Sequence, residues 1–431
     1  MKNTFTSLIT VTLFGLFSCT TNNNKTIANK AHYDKYLHTE IKKSIAKSHQ
    51  ELNFWDDKLN NNPTQYVYLY QIAAASSSLF TESGNIFYLK EAEKKLVALN
   101  KKTNYSQVGA LRGLARNYIS QHRFKESLEL LKQAELIGED LNSTQKMLFD
   151  VHLELGNVDE AQSYLIKIKD FSDFHYLLRV SKWHDYKGDL ASAIKYMEKA
   201  TDKAIESNNK QLKIWSFTNL ADFYGHNGQI KEAYDLYLET LALDPANAYA
   251  KKQIAWIVYS HDKKPAEALR ILEQLSTQHK SPDYELLKAE IAMFINNDSL
   301  KEKALKKYLS KVAAPAYGEM YNQHLAKLYL EEFNDSENSL KYINKELRNR
   351  PTPASYNLLS WYYYKNKEYK KALEIVTKHV LNKTFEPEAQ YHMAEIFKAN
   401  GLHKEANQLK KELLESSFEL GPVMTSEILK I

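Results

Sequence analysis

Residues 214–247 read IWSFTNLADFYGHNGQIKEAYDLYLETLALDPAN, a 34-residue stretch holding two helical stripes and one glycine between them. Phe217, Leu220, Ala221 and Tyr224 fall at i, i+3, i+4 and i+7, one face of a 3.6-residue helix. Gly228 supplies a residue that enters the left-handed region at low cost and so ends that helix. Ile230, Ala233, Tyr237 and Leu241 then form a second stripe that faces back onto the first. The small side chains of Ala221 and Ala233 let the two helices approach closely, and Pro245 stops the second.

The same pattern recurs on both sides. Pro245, Pro282, Pro315, Pro351, Pro387 and Pro422 are spaced by 37, 33, 36, 36 and 35 residues, each after a helical stripe. Gly156, Gly188, Gly228 and Gly401 occupy one repeat position, between the two helices. The arrangement of Phe217, Leu220, Ala221, Tyr224, Ala233, Tyr237 and Pro245 resembles the tetratricopeptide repeat, with Thr240 where that family carries a small Ala. The resemblance implies an all-α, right-handed superhelical solenoid of nine to ten helix-turn-helix repeats over residues 63–420. Residues 32–62 are expected to form a capping helix that shields the first stacking face, and residues 421–431 a C-terminal tail. The copies at 247–281 and 282–315 require short insertions in their inter-helix turns.

Composition agrees with helix. Twelve Gly and nine Pro in 431 residues are too few for a β-rich or loop-rich chain. The 58 basic residues are interspersed with 53 acidic ones, for a net charge of +5, and no basic stripe is concentrated enough to suit nucleic acid.

Residues 1–18 read as an export signal: Lys2 gives a short positive start, and residues 5–17 an apolar run too short to span a bilayer permanently. The segment ends in Leu16-Phe17-Ser18-Cys19, which resembles the lipobox of bacterial lipoproteins, although Phe17 is bulkier than is usual there. The resemblance implies cleavage before Cys19 and a diacylglycerol on its sulfur. Cys19 is the only cysteine, so an intramolecular disulfide is excluded. Residues 19–31 are polar and are expected to form a flexible tether. Thr20, where an Asp would signal inner-membrane retention in the enterobacterial relatives, favours the periplasmic face of the outer membrane.

Catalytic signatures are missing: there is no H-E-x-x-H, G-x-S-x-G, Walker loop, G-x-G-x-x-G or C-x-x-C. His175, Asp185 and His226 are a weak alternative as a metal site; no spacing demands it, and neither a metal nor another cofactor is expected. The resemblance instead directs attention to the concave face, lined by the first helix of each repeat. The lining positions hold Arg112, Arg116, Asp150, Lys182, Asp185, Trp215, Asp222 and His226, then Tyr249, Trp256, Tyr259, Trp361, Tyr364 and Tyr391. Large rigid aromatics at such positions suit anchors for a partner. The expected function is therefore that of a non-enzymatic, lipid-anchored protein that holds a peptide or protein in the envelope, with Trp256, Tyr259, Trp361 and Tyr364 as main contacts. The alternative is a glycan or small-molecule receptor of a nutrient-uptake system; such relatives carry long insertions, which this chain does not.

Overall fold

The computed structural model describes residues 26–38 and 42–431, and every regular element among them is helical. The lipobox and most of the expected tether lie outside the described residues. Ten antiparallel helix pairs follow one another: α3 (Val67–Ser83) with α4 (Ile86–Lys102), α5 (Val108–Ser120) with α6 (Phe124–Ile137), and α7 (Leu141–Glu154) with α8 (Val158–Lys167). Next come α9 (Phe174–Tyr186) with α10 (Leu190–Glu206), α11 (Lys210–His226) with α12 (Ile230–Leu243), and α13 (Ala248–Ser260) with α14 (Pro265–Gln278). The last four are α15 (Asp283–Phe294) with α16 (Asp298–Val312), α17 (Asn322–Glu331) with α18 (Ser336–Asn349), α19 (Pro353–Lys365) with α20 (Tyr369–Ile375), and α21 (Pro387–Ala399) with α22 (His403–Glu415). The molecule is an all-α solenoid of tetratricopeptide-type pairs.

One backbone rule governs all ten turns. The residue two positions before each second helix lies in the left-handed region: Gly84, His122, Gly156, Gly188, Gly228, Lys263, Asn296, Asn334, Lys367 and Gly401. Five are glycine, for which this costs little; the other five carry a Cβ against the following carbonyl. The pair α11/α12 has the expected packing. Ala221 and Ala233 are 0% and 1% exposed, and both belong to one core with Tyr237 and Leu241. The turn after α13 does carry one extra residue, whereas the turn after α15 has the ordinary length.

Three expectations at the chain ends are corrected: the single cap, the free end of the tether, and the tail. Residues 32–62 are not one cap. The helix α2 (Lys42–Asn61) covers the first pair, with Trp55 against Tyr68 at 5.6 Å between ring centroids. The short helix α1 (Lys30–Leu37) instead lies on α12 and α14, in the middle of the array. The segment leading into it is held, not free: Ile27 and Ala28 donate their backbone N–H groups to the two Asp262 oxygens, each at 3.0 Å. Tyr33 and Leu37 are both 2% exposed, and Tyr33 donates to Glu267 at 2.8 Å. Burial of these side chains offsets the entropy lost in docking the segment. At the other end, residues 421–431 are not a tail: α23 (Ser417–Ile428) runs back into the array.

Later pairs touch the turns of earlier ones. Lys280 N–H donates to the Ser83 carbonyl at 2.8 Å, and the Asn349 amide donates to the His122 carbonyl at 2.9 Å. Gly156 faces Thr352, and Gly188 sits so close to the Phe385 ring that a Cβ there would lie 2.5 Å away. These contacts bring successive turns of the superhelix together along a seam, so the concave face lines an interior lumen.

Candidate binding surface on the concave face

The charged residues at the expected lining positions of the first helices are largely paired. Arg112 pairs with Asp140 at 2.8 Å. Asp150 accepts from Arg179, and Lys182 reaches Glu154 at 3.0 Å while Arg350, from the later turn, approaches the same carboxylate at 3.3 Å. Arg116 remains exposed. Asp222 is fixed from three sides: Tyr237 donates at 2.5 Å, Tyr249 at 2.6 Å and Gln253 at 3.1 Å. Lys327 on α17 pairs with Glu388 on α21; burial would raise that carboxyl, but Lys327 and His392 outweigh it and hold it down at about 2.

The aromatics divide into two groups. Trp215 and Tyr249 keep 44% and 42% of their surface exposed, on α11 and at the start of α13. Trp361 is 4% exposed, Tyr391 9% and Tyr259 0%. Trp361 stacks on His392 at 4.0 Å and on Tyr364 at 4.7 Å, and its Nε1 donates to Glu331 at 2.6 Å. Tyr364 in turn donates to Glu395 at 2.7 Å. Tyr259 meets Phe294 edge-on at 5.5 Å. Trp361, Tyr364, Tyr391 and Tyr259 are thus scaffold that joins neighbouring pairs, which corrects the expectation that Trp361, Tyr364 and Tyr259 are main partner contacts. An aromatic does at these places what Leu could not: it stacks across a helix interface and still satisfies a polar tip.

Trp256 has a different fate. It is half-buried, and its Nε1 donates at 3.2 Å to the backbone carbonyl of Phe418 on α23. Ser260 donates to that same carbonyl at 2.8 Å. Farther along α23, Leu420, Met424 and Ile428 pack against Trp361, Tyr391, Ala394 and Leu413. The chain's own C-terminal segment therefore covers the aromatic half of the lumen. Sequence reasoning missed this, because the only local signal is the helix-breaking Gly421-Pro422, which reads as the end of the array.

Four ionisable groups approach one another beside α23: Asp185 on α9, His226 on α11, Glu386 before α21, and Glu419, whose carboxylate is 3.9 Å from His226. Burial pushes the carboxyls of Asp185, Glu386 and Glu419 upward; His226 opposes this in each, while their mutual repulsion adds to it for Glu386 and Glu419. Among the described residues no group of three or more His, Cys, Asp or Glu is arranged to hold a metal ion, so His175, Asp185 and His226 do not form one.

No family model matches the chain, and none of the curated proteins does. Among solved structures it is similar to the yeast Tom70, at 14% identity over 89% of this chain and 84% of that one, with a TM-score of 0.39. It is also similar to a tetratricopeptide repeat protein from Parabacteroides merdae, at 18% identity over 60% and 97% of the two chains, TM-score 0.34. A third likeness is to pilF of Pseudomonas aeruginosa, at 18% identity over 49% and 92%, TM-score 0.33.

Proposed function

We propose that this chain is a non-enzymatic interaction protein of the cell envelope, anchored through a diacylated Cys19, that holds a protein or peptide partner on its concave face. The observation that carries this reading is the exposure of Trp215 and Tyr249 on the lining stripe, where every neighbouring aromatic is either stacked or covered. Trp215 touches Phe174 only edge-on, at 6.4 Å between centroids, and so presents a rigid face at low entropic cost. Tyr249 is held in place by its bond to Asp222, a pre-set second contact. The anchor sets the location: the lipobox-like Leu16-Phe17-Ser18-Cys19 supports two acyl chains, enough for stable membrane attachment, and Thr20 favours the periplasmic face of the outer membrane.

Two variants test the surface. Trp215→Ala and Tyr249→Ala should each weaken capture of the native partner by about tenfold or more, which corresponds to roughly 1.4 kcal/mol per decade, with the melting temperature nearly unchanged. Capture at the wild-type level in both would remove the proposal. Cys19→Ser tests the anchor separately: the variant should carry no labelled acyl chain and should leave the membrane fraction.

A further inference from the structure

The helix α23 follows α22 directly, and a terminal helix that served only as a cap would lie along the last pair, as α2 lies along the first. Only its second half does so, with Met424 and Ile428 against Tyr391, Ala394 and Leu413. Its first half, from Phe418 to Gly421, crosses the lumen to α11, α13 and α15. Its fit there is specific on both sides. Two side chains of α13, Trp256 and Ser260, are committed to one backbone carbonyl, that of Phe418, 162 and 158 residues away. The Phe418 ring rests on Gly225 of α11, where a Cβ would stand 3.0 Å from the ring. Gly421 turns with φ +76°, and a Cβ there would lie 2.8 Å from the Trp256 ring and 2.6 Å from Glu290. Glycine is the one residue that allows both that turn and that approach. On the two sides of the break, Leu420 before it and Met424 and Ile428 after it place an apolar stripe against Trp361 and Tyr391.

Resting on the reading that the concave face holds a partner, we infer that the lumen contains a helix-binding seat across α11, α13, α15 and α21 which α23 occupies from within. The external ligand of that seat is a short apolar helix entered through an aromatic-x-aliphatic-Gly turn, the chemistry of Phe418, Leu420, Gly421, Met424 and Ile428. An apolar stripe laid into an apolar groove is how such grooves recognise helical peptides, and here paired donors fix one backbone carbonyl as well. The seat also has room to spare: a cavity of about 160 Å³ remains beside Phe418, bounded by Asp222, His226, Gln253 and Trp256. Asp222, which bounds that cavity, carries the Tyr249 hydroxyl, so an incoming segment that also fills the cavity reaches toward the exposed Tyr249. Such a segment makes contacts that α23 does not, which is how it overcomes an occupant present at high effective concentration.

The test keeps the whole chain. A cleavable linker is inserted between Ser416 and Ser417, the folded protein is cut, and a fluorescein-labelled synthetic peptide of residues 417–431 is added. The cut protein should bind the labelled peptide saturably, and the uncut protein at least about tenfold more weakly, because its own segment competes within the molecule. Trp256→Ala in the cut protein should weaken the peptide by about tenfold, and a peptide carrying Gly421→Val should fail to compete. The inference is overturned if the cut protein does not take up the peptide, if cut and uncut protein bind it equally, or if release of the segment abolishes the cooperative helical melt. The probe is defined and the native partner is not needed. Trp215→Ala should leave peptide binding intact, so loss of partner capture and loss of this seat are told apart.

Discussion

Lys251 shows what a single residue must tolerate in a stacked array. It is 1% exposed on α13, and its ammonium has no hydrogen-bond partner among the described residues. Burial lowers its pKa from 10.5 to about 8, with the Asp244 carboxylate pulling the other way. The folded pKa lies below the unfolded one, so the charged form is penalised: the penalty is complete below about pH 8 and disappears above about pH 10.5. Lys251→Met should therefore stabilise the array at pH 7 by on the order of 3 kcal/mol, and the gain should fade as the pH is raised to 10.5. Denaturant melts at the two pH values check this. Trp361 makes the opposite point. The sequence places it on the lining stripe and says nothing of His392 stacked 4.0 Å above it. Trp361→Ala should cost about 3–5 kcal/mol as a core truncation does, seen as early loss of protection in the last two pairs by hydrogen exchange.

At the level of the element, the helices were legible and the turns only half so. The stripes of α11 and α12 and the small contact of Ala221 with Ala233 follow from spacing alone. Every turn requires a left-handed residue two places before its second helix, and the glycines announce it most plainly. Asn296 and Asn334 give a weaker sign, Asn being the next most tolerant residue there, and Lys263 and Lys367 give none. Two glycines then separate backbone cost from packing cost. Gly228 has nothing within 4 Å of its missing Cβ, whereas Gly188 has the Phe385 ring at 2.5 Å. Gly228→Ala should cost about 1–2 kcal/mol, the left-handed term alone. Gly188→Ala should cost measurably more, and restoring stability with Phe385→Ala would show that the excess comes from the seam. Equal losses in Gly188→Ala and Gly228→Ala would deny the contact.

For the whole molecule, legibility ends where periodicity ends. Repeats contact their neighbours, so one well-formed copy reveals the architecture of all. The features that shape the lumen join residues far apart: Asn349 with His122, 227 residues away, and Ile27 with Asp262, 235 away. None of these repeats, so no spacing marks them. The same holds for α23, whose seat on Trp256 and Ser260 moved the open part of the concave face away from the aromatic half and toward Trp215 and Tyr249. The docked segment 27–29 adds a constraint on the anchor. Seven residues lie between Cys19 and Ile27, eight Cα steps with a reach of at most about 28 Å, so a lipidated Cys19 holds the membrane near the turn between α13 and α14. The central claim is that the concave face at Trp215 receives the partner. A photo-crosslinking side chain placed at position 215 in cells, and another at Leu136, an 89% exposed residue on α6, test it most directly. The account predicts one partner joined at position 215 and absent at 136; a partner joined at 136 and not at 215 would contradict it.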